Sequence, residues 1–191
     1  MNGYTLLSER QITAILLIAC AVIFMVGGIL YTGRAIWKWP ASETIGYLRW
    51  ERGIVILAVL VTAFGLVLLE NLLRVAPASR GIAGVIARLG MVTYLIGAVV
   101  VVVAETTYLH NRQWVYPQIV LYVVLALLAQ AAFGLSLLQT GLVPGWAGWA
   151  TLIWNLFWLV VLPIADRNNM YYPALHHAAP LVIGIALLTS A

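Results

Sequence analysis

Residues 144–180 read PGWAGWATLIWNLFWLVVLPIADRNNMYYPALHHAAP, and this stretch decides the fold of the chain. Two apolar segments meet there at a short polar turn, Asp166-Arg167-Asn168-Asn169. An α-helix needs about 20 apolar residues to cross the hydrocarbon core of a bilayer. We therefore predict a pair of transmembrane helices whose turn lies beside most of the ionisable side chains of the chain.

The composition extends this interpretation to the whole chain. Of its 191 residues, 64% are hydrophobic and only 8% are charged, and the mean hydropathy is +1.02. A soluble domain carries about 25% charged residues. With so few charges a soluble fold could not cover its own surface, so lipid must be the solvent over most of it. The composition predicts a multi-pass protein of a cell membrane, with membrane lipid as its first partner.

Charge and cysteine content exclude several classes of function. The net charge of +4 comes without any Lys/Arg-rich run interleaved with aromatic residues, so nothing indicates nucleic-acid binding. In a membrane protein a basic excess reflects topology and lipid headgroups. Cys20 is the single cysteine, which excludes an intramolecular disulfide, a CxxC redox pair and a thiolate metal cluster.

The apolar runs predict an all-α fold, one domain built as a bundle of six transmembrane helices. The predicted spans are 11–32, 53–73, 84–106, 114–138, 145–165 and 173–188. The placement of the third span forces a choice, because either Arg88 or Glu105 must lie inside the membrane. Short connections predict that consecutive helices pack antiparallel. The longest loop, 33–52, is rich in Trp, Tyr and basic residues, which predicts that it lies on the bilayer surface, in part as a short interfacial helix.

Six spans place both termini on one side of the membrane, which we call the even side. The odd side carries the loops 33–52, 106–113 and 166–172. Lysine and arginine divide almost evenly between the two sides. The positive-inside rule therefore leaves the orientation open.

Most of the titratable side chains suited to acid–base chemistry fall on the odd side. An ionisable group at membrane depth is costly unless it is paired, which makes it a functional candidate. Acid–base catalysis would use Asp166 or Glu105 as the acid and a histidine as the base. The alternative is that these groups meet water at the interface and serve as anchors. The candidate catalytic residues are Asp166, Glu105, His110, His176 and His177.

A polar stripe on the fifth span is a second candidate site. Asn155 and Asp166 are eleven residues apart and so share one helix face, together with Thr151 and Trp158. Such a stripe lines a cavity that opens at the odd side, or else Asn155 makes a single interhelical hydrogen bond. The predicted ligand-binding residues are Asn155, Trp154, Trp158, Tyr171 and Tyr172.

Three further residue pairs bear on structure or cofactor binding. Glu70 and Arg74 are four residues apart and are predicted to form a structural ion pair on the second helix. The side chains of His176 and His177 diverge by about 100° on a helix, so they cannot chelate one metal ion as an i,i+4 pair would. A haem between His110 and one of these histidines is conceivable but not indicated by the spacing. No metal site is predicted, and no cofactor is assigned.

The motif Pro144-Gly145-Trp146-Ala147-Gly148-Trp149 resembles the start of the penultimate helix in a group of uncharacterised bacterial multi-pass membrane proteins. That helix often begins with Pro-x-Trp-x-Gly-Trp, and a final helix follows after a short turn. The resemblance covers the last quarter of the chain; the residue after the proline, often basic in that group, is Gly145 here. It implies a six-helix bundle, in a bacterial inner membrane, and no particular activity.

Three functions are consistent with these features. The first is an integral membrane protein that holds a lipophilic ligand or serves as an accessory subunit beside other membrane proteins. The second is a membrane-embedded enzyme that acts on a lipid or isoprenoid substrate. The third is a small transporter, although the chain shows neither the broken helices nor the inverted repeat that transporters usually carry.

Overall fold

The structure is a computed structural model that describes residues 7–76, 81–111, 116–165 and 175–190. Within these ranges the chain is helical and has no strand, so the predicted all-α, six-helix fold is confirmed. The helices are α1 Glu9–Ala35, α2 Ile45–Val75, α3 Ile82–Asn111, α4 Tyr116–Thr140, α5 Gly145–Ala165 and α6 Ala178–Thr189. Short 3₁₀ helices cover Pro40–Glu43 and Leu175–His177.

The lengths of the helices match a multi-pass membrane protein. Helices α1 to α5 are long and apolar enough to cross a bilayer. Helix α6 has only 12 residues, which is about 18 Å of helix against a hydrocarbon core of about 30 Å. The predicted sixth span, 173–188, is longer than the α-helix that the structure describes there, which begins only at Ala178. The 3₁₀ turn Leu175–His177 precedes this helix.

The bundle is closed, because each helix packs on its neighbours in sequence and α6 packs back on α1. Its centre is filled by large side chains that are almost fully buried: Leu17, Leu66, Tyr94, Tyr122, Phe133 and Ile183. The outer faces carry equally large apolar side chains that are exposed, among them Phe64, Val99, Val160 and Ile164. In water this apolar exterior would drive aggregation, whereas lipid is its natural solvent.

The predicted surface loop 33–52 is shorter than expected. Helix α1 continues to Ala35 and α2 already begins at Ile45. Thr44 caps α2, because its hydroxyl oxygen accepts a hydrogen bond from the Tyr47 amide at 3.2 Å. Glu51 and Arg52, which the sequence placed in the loop, therefore lie inside the first turns of α2.

Helix α3 is long enough to contain both Arg88 and Glu105, of which the sequence required at least one to lie inside the membrane. It has 30 residues, about 45 Å, which exceeds the hydrocarbon core. Arg88 is exposed near its start, whereas Glu105 is only 1% exposed near its end. The buried charge is therefore Glu105.

Arg10 fastens the end of α6 to the start of α1. Its guanidinium donates hydrogen bonds to the carbonyl oxygens of Leu187 at 3.0 Å and Ser190 at 3.0 Å. Leu187 lies in the last turn of α6 and Ser190 is its C-cap residue, where backbone acceptors lack partners within the helix and a cation is favourable. The contact holds the short helix at the even side.

We expect Arg10→Ala to lower the free energy of unfolding by about 1–3 kcal/mol, because it removes charge-assisted hydrogen bonds. Unfolding of the detergent-solubilised protein by increasing denaturant would measure the change. Arg49→Ala serves as the control, because Arg49 is an exposed arginine at the other end of the bundle. Equal stability of the two variants would contradict the proposed role of Arg10.

Candidate functional site

Four charged side chains form a chain of ion pairs across α1, α2 and α3 at the odd side. Arg34 Nε and Nη2 donate to the two carboxylate oxygens of Glu51 at 2.7 and 2.8 Å. Arg52 Nη1 lies 3.1 and 3.0 Å from the two oxygens of Glu105, and its Nη2 lies 3.4 Å from Glu51. The signs alternate and sum to zero, so no net charge is carried into the bundle.

The inner part of this cluster is removed from solvent. The side chains of Glu51, Arg52 and Glu105 are each 1–2% exposed. The Arg52 guanidinium also lies over the ring of Tyr108, 5.0 Å from its centroid. Buried charges persist only when they are paired, so the pairing explains how Glu105 tolerates its position. The cluster ties three helices together.

A second polar group lies deeper, where the turn Leu175–His177 meets α4. The Tyr122 hydroxyl and His176 Nε2 are 2.7 Å apart, with the two rings perpendicular. The Tyr122 hydroxyl also lies 3.4 Å from that of Tyr94 on α3. These three buried side chains form a hydrogen-bonded row that fixes the orientation of His176.

His177 is also buried, but it does not belong to this hydrogen-bonded row. Its ring stacks on Phe24 of α1, with centroids 4.1 Å apart and planes inclined by 20°, and it lies 4.2 Å from the ring of His176. The residue is 3% exposed. Neither Nδ1 nor Nε2 of His177 has a hydrogen-bond partner in the part of the chain that the structure describes.

The two histidines lie near the middle of the bundle. At a rise of 1.5 Å per residue, Phe24 is about 16 Å from the Ala35 end of α1 and about 22 Å from its Glu9 end. Helix α6 begins at this level, which agrees with its length of 12 residues, a little under half that of α1. His177, stacked on Phe24, therefore lies about half-way along α1.

A groove leads from His177 along α1 toward the odd side. Its volume is ≈ 490 Å³. The inner end is formed by His177, Ala178 and Leu181, and the outer end by Thr32 and Trp37. Apolar side chains and one glycine line the stretch between them: Ala21, Phe24, Met25, Gly28 and Ile29. We call this feature the α1–α6 groove.

The predicted catalytic residues that the structure describes have different contacts, so catalysis by this set stays a prediction. Glu105 pairs with Arg52 and His176 with Tyr122, while His110 is exposed at the end of α3. Asp166 lies outside the described residues, so its convergence with a histidine stays a prediction.

The predicted polar stripe on α5 is buried. Thr151 and Asn155 are 1% and 0% exposed, and the Asn155 amide donates to the Thr151 carbonyl at 2.7 Å. Gln130 of α4, which the prediction did not include, is also fully buried. Contacts of Gly134 with Leu152 place Gln130 on α4 near the level of Asn155. Several polar atoms of these three side chains have no partner across the described ranges.

The aromatic residues predicted to wall a ligand groove are only partly described. Trp154 is 37% exposed on the outside of α5, and its ring centroid lies 5.7 Å from that of the half-buried Trp158. Tyr171 and Tyr172 lie outside the described residues. Ligand binding by this set stays a prediction, and the α1–α6 groove is a different feature.

The predicted pair of Glu70 and Arg74 also stays a prediction. The contact that the structure gives to Glu70 is with Arg88 of α3, whose Nε lies 3.3 Å from the carboxylate. Arg74 donates to the side-chain oxygen of Asn71 at 2.6 Å. Glu70 thus joins α2 to α3 at the even side.

Sequence reasoning missed the partners of the histidines and of Glu105. Phe24 and Tyr122 are ordinary apolar-helix residues, and no spacing marks them. Arg52 carried a usable signal, because two buried charges of opposite sign on adjacent helices are expected to pair. Comparison of the chain with protein-family models, with curated proteins and with solved structures found no match.

Proposed function

We propose that this multi-pass membrane protein holds a lipophilic ligand in the α1–α6 groove. The groove has the volume of a small-molecule site, about 300–1,000 Å³, and is mostly apolar with a polar group at one end. It opens on the outer surface of the bundle, so a ligand can enter from the bilayer without passing through water.

The observation that supports this proposal most directly is the lining of the groove, which is apolar along α1 and ends at His177. Leaving a buried donor or acceptor without a partner costs about 1–3 kcal/mol. Both ring nitrogens of His177 are in this state within the described ranges, and the residue lines the groove. Both nitrogens are inaccessible from the groove, so a ligand packs against the edge of this ring and reaches a nitrogen only if the ring turns out of its stack on Phe24.

Filling the groove tests the proposal. A Cβ added at Gly28 meets nothing within 4 Å, so Gly28→Leu should fold normally while its side chain occupies the groove. We expect the variant to lose at least about 90% of the small lipophilic molecules that copurify with the wild type, since bulk in the site excludes the ligand. Native mass spectrometry and lipid extraction after gentle solubilisation would measure this.

Gly145→Leu is the matched control. A Cβ at Gly145 also meets nothing within 4 Å, and this exposed position at the start of α5 is not part of the groove. It should retain the ligand. Identical lipophilic content in the wild type and in Gly28→Leu would contradict the proposed function.

A further inference from the structure

A second groove lies on the outside of the bundle between α2 and α3, and every side chain that lines it is apolar. Its volume is ≈ 510 Å³. The buried methyl groups of Ala63 and Ala98 form its floor. Larger side chains of both helices form its walls, among them Leu60, Phe64, Val67, Leu95 and Val99. We call this feature the α2–α3 groove, and the part of a ligand that lies in it must be hydrocarbon.

The same faces of α2 and α3 lead from this groove to two arginines at the even side. Arg74 follows Val67 by seven residues, and Arg88 precedes Leu95 by seven residues. Residues with this spacing lie within about 20° of each other around a helix and about 10 Å apart along it. Both arginines line one cleft of ≈ 280 Å³ together with Gly81. The apolar groove therefore leads to a cleft that carries two guanidinium groups.

The two guanidinium groups can bind a further acceptor. The Arg88 side chain is 60% exposed, and the contact described for it, 3.3 Å to the Glu70 carboxylate, uses Nε. Its two terminal nitrogens carry further N–H donors. Arg74 is also exposed and donates to the Asn71 side-chain oxygen at 2.6 Å. Among the described residues no carboxylate lines the cleft, so a group that enters it meets two cations and is expected to be an anion.

The combined length of the cleft and the groove equals that of one bilayer leaflet. Arg74 and Leu60 are fourteen residues apart on α2, and Arg88 and Val102 are fourteen residues apart on α3, which is about 21 Å of helix in each case. A bilayer with its headgroups is about 40–45 Å thick, so one leaflet is about 20–22 Å. Arg74 is the next-to-last residue of α2, which places it where headgroups lie.

A second copy of the chain fits this surface less well than a lipid. A copy in the same orientation would have to bring an anion to the arginines from its own even side. The acids that the structure describes there, Glu9 and Glu70, are already in contact with Asn71 and Arg88. A phospholipid carries a phosphate and hydrocarbon in one molecule, in the order that the cleft and the groove require.

We infer that the α2–α3 groove and its cleft bind an anionic phospholipid. The phosphate lies between the guanidinium groups of Arg74 and Arg88, which suit phosphate oxygens because they donate parallel N–H groups. One acyl chain lies over Ala63 and Ala98. A choline headgroup is disfavoured, since it brings a further cation to a cleft lined by two. This site is separate from the α1–α6 groove and does not depend on the proposed function.

Titration of the detergent-solubilised full chain with three lipids, followed by native mass spectrometry, tests this assignment. The lipids are dioleoyl phosphatidylglycerol, dioleoyl phosphatidylcholine and dioleoylglycerol, which lacks the phosphate. We expect phosphatidylglycerol to bind at least about fivefold more tightly than either of the others, because a basic side chain near anionic lipid contributes about 1 kcal/mol. Glycerophosphoglycerol, the same headgroup without acyl chains, should not compete, since the groove binds hydrocarbon.

Substitutions at the two arginines isolate the contribution of the phosphate. Arg74→Gln and Arg88→Gln should each weaken phosphatidylglycerol binding by about fivefold and leave dioleoylglycerol binding unchanged. Arg49→Gln is the matched control, because Arg49 is also an exposed arginine but lies at the odd end of α2, outside the groove and the cleft. It should bind phosphatidylglycerol as the wild type does.

Filling the groove isolates the contribution of the acyl chain. Val67 is 37% exposed and lines the groove, so Val67→Trp should weaken phosphatidylglycerol and dioleoylglycerol binding alike, by at least about tenfold. Val160→Trp is its control, because Val160 is 61% exposed on α5 and lies away from the groove. It should not change the affinity for either lipid.

Several results would overturn the assignment. Equal binding of phosphatidylglycerol and either other lipid would mean that the cleft does not select an anionic phosphate. An equal loss in Arg49→Gln would mean that the arginines act through overall charge, and competition by glycerophosphoglycerol would indicate a site for a free anion. A dimer that Val67→Trp disrupts, with no change in lipid affinity, would assign this face to a second copy. Should Val67→Trp fail to fold, the arginine variants decide.

The two proposals fail independently. Gly28→Leu fills the α1–α6 groove and should bind phosphatidylglycerol as the wild type does, whereas Val67→Trp should keep the small lipophilic molecules of the α1–α6 groove.

Discussion

Replacing Arg52 by leucine is expected to lower the free energy of unfolding by about 3–5 kcal/mol, the largest single-site effect predicted for this chain. The substitution leaves the carboxylate of Glu105 buried, at 1% exposure, without its two contacts to the guanidinium. It also leaves Glu51 with Arg34 alone. Glu105→Leu should cost a similar amount, because it strands the guanidinium instead.

The double variant Arg52→Leu/Glu105→Leu is expected to be clearly more stable than either single variant. An apolar pair of similar size removes both desolvation penalties, whereas each single substitution leaves one charge unpaired. The comparison therefore distinguishes a requirement for the pair from a requirement for either residue. Reversible unfolding in mixed micelles with increasing sodium dodecyl sulfate would measure all three.

The pair of Arg88 and Glu70 provides the matched control, because it also joins α2 to α3 but at the opposite end. The Arg88 side chain is 60% exposed. The Glu70 side chain is 10% exposed, so Arg88→Leu leaves a largely buried carboxylate without this contact. Because the guanidinium itself is in contact with solvent, the loss should be clearly smaller than for Arg52→Leu, whose two partners are both buried. If Arg52→Leu were as mild as Arg88→Leu, the ion-pair cluster would not be what holds α1, α2 and α3 together.

The second large effect is expected at Gly134, where the backbones of α4 and α5 approach closely. A Cβ there would lie 2.7 Å from the backbone nitrogen of Leu152 and 3.1 Å from the carbonyl oxygen of Gly148. Both obstacles are backbone atoms, so the helices themselves must separate. We expect Gly134→Ala to cost about 1–3 kcal/mol and a larger residue to cost more.

Gly28→Ala is the control for Gly134→Ala, because it adds the same methyl group where nothing lies within 4 Å. It should be neutral or slightly stabilising, since alanine is the better helix former. The same unfolding assay compares the two. A harmless Gly134→Ala would mean that α4 and α5 are not in the close contact described.

Much of the candidate site was predictable as a list of residues but not as an arrangement. The cost of titratable groups in lipid singled out Glu105, His176 and His177. Their contacts, however, come from helices distant in sequence, since Arg52 lies on α2, Tyr122 on α4 and Phe24 on α1. A spacing rule works within one helix, so it predicted a partner for Glu70 on its own helix, whereas the contact described is on α3.

The sequence by itself determined that the chain is a bundle of apolar helices in lipid, because hydropathy and segment length depend only on local composition. Only the tertiary structure decided that α6 begins at half depth, that α1 and α6 leave a groove there, and that His177 lines its inner end. The physical reason is that the helix packed against a buried polar group determines whether that group finds a hydrogen-bond partner. That choice is made by packing between helices, which no single stretch of the chain contains.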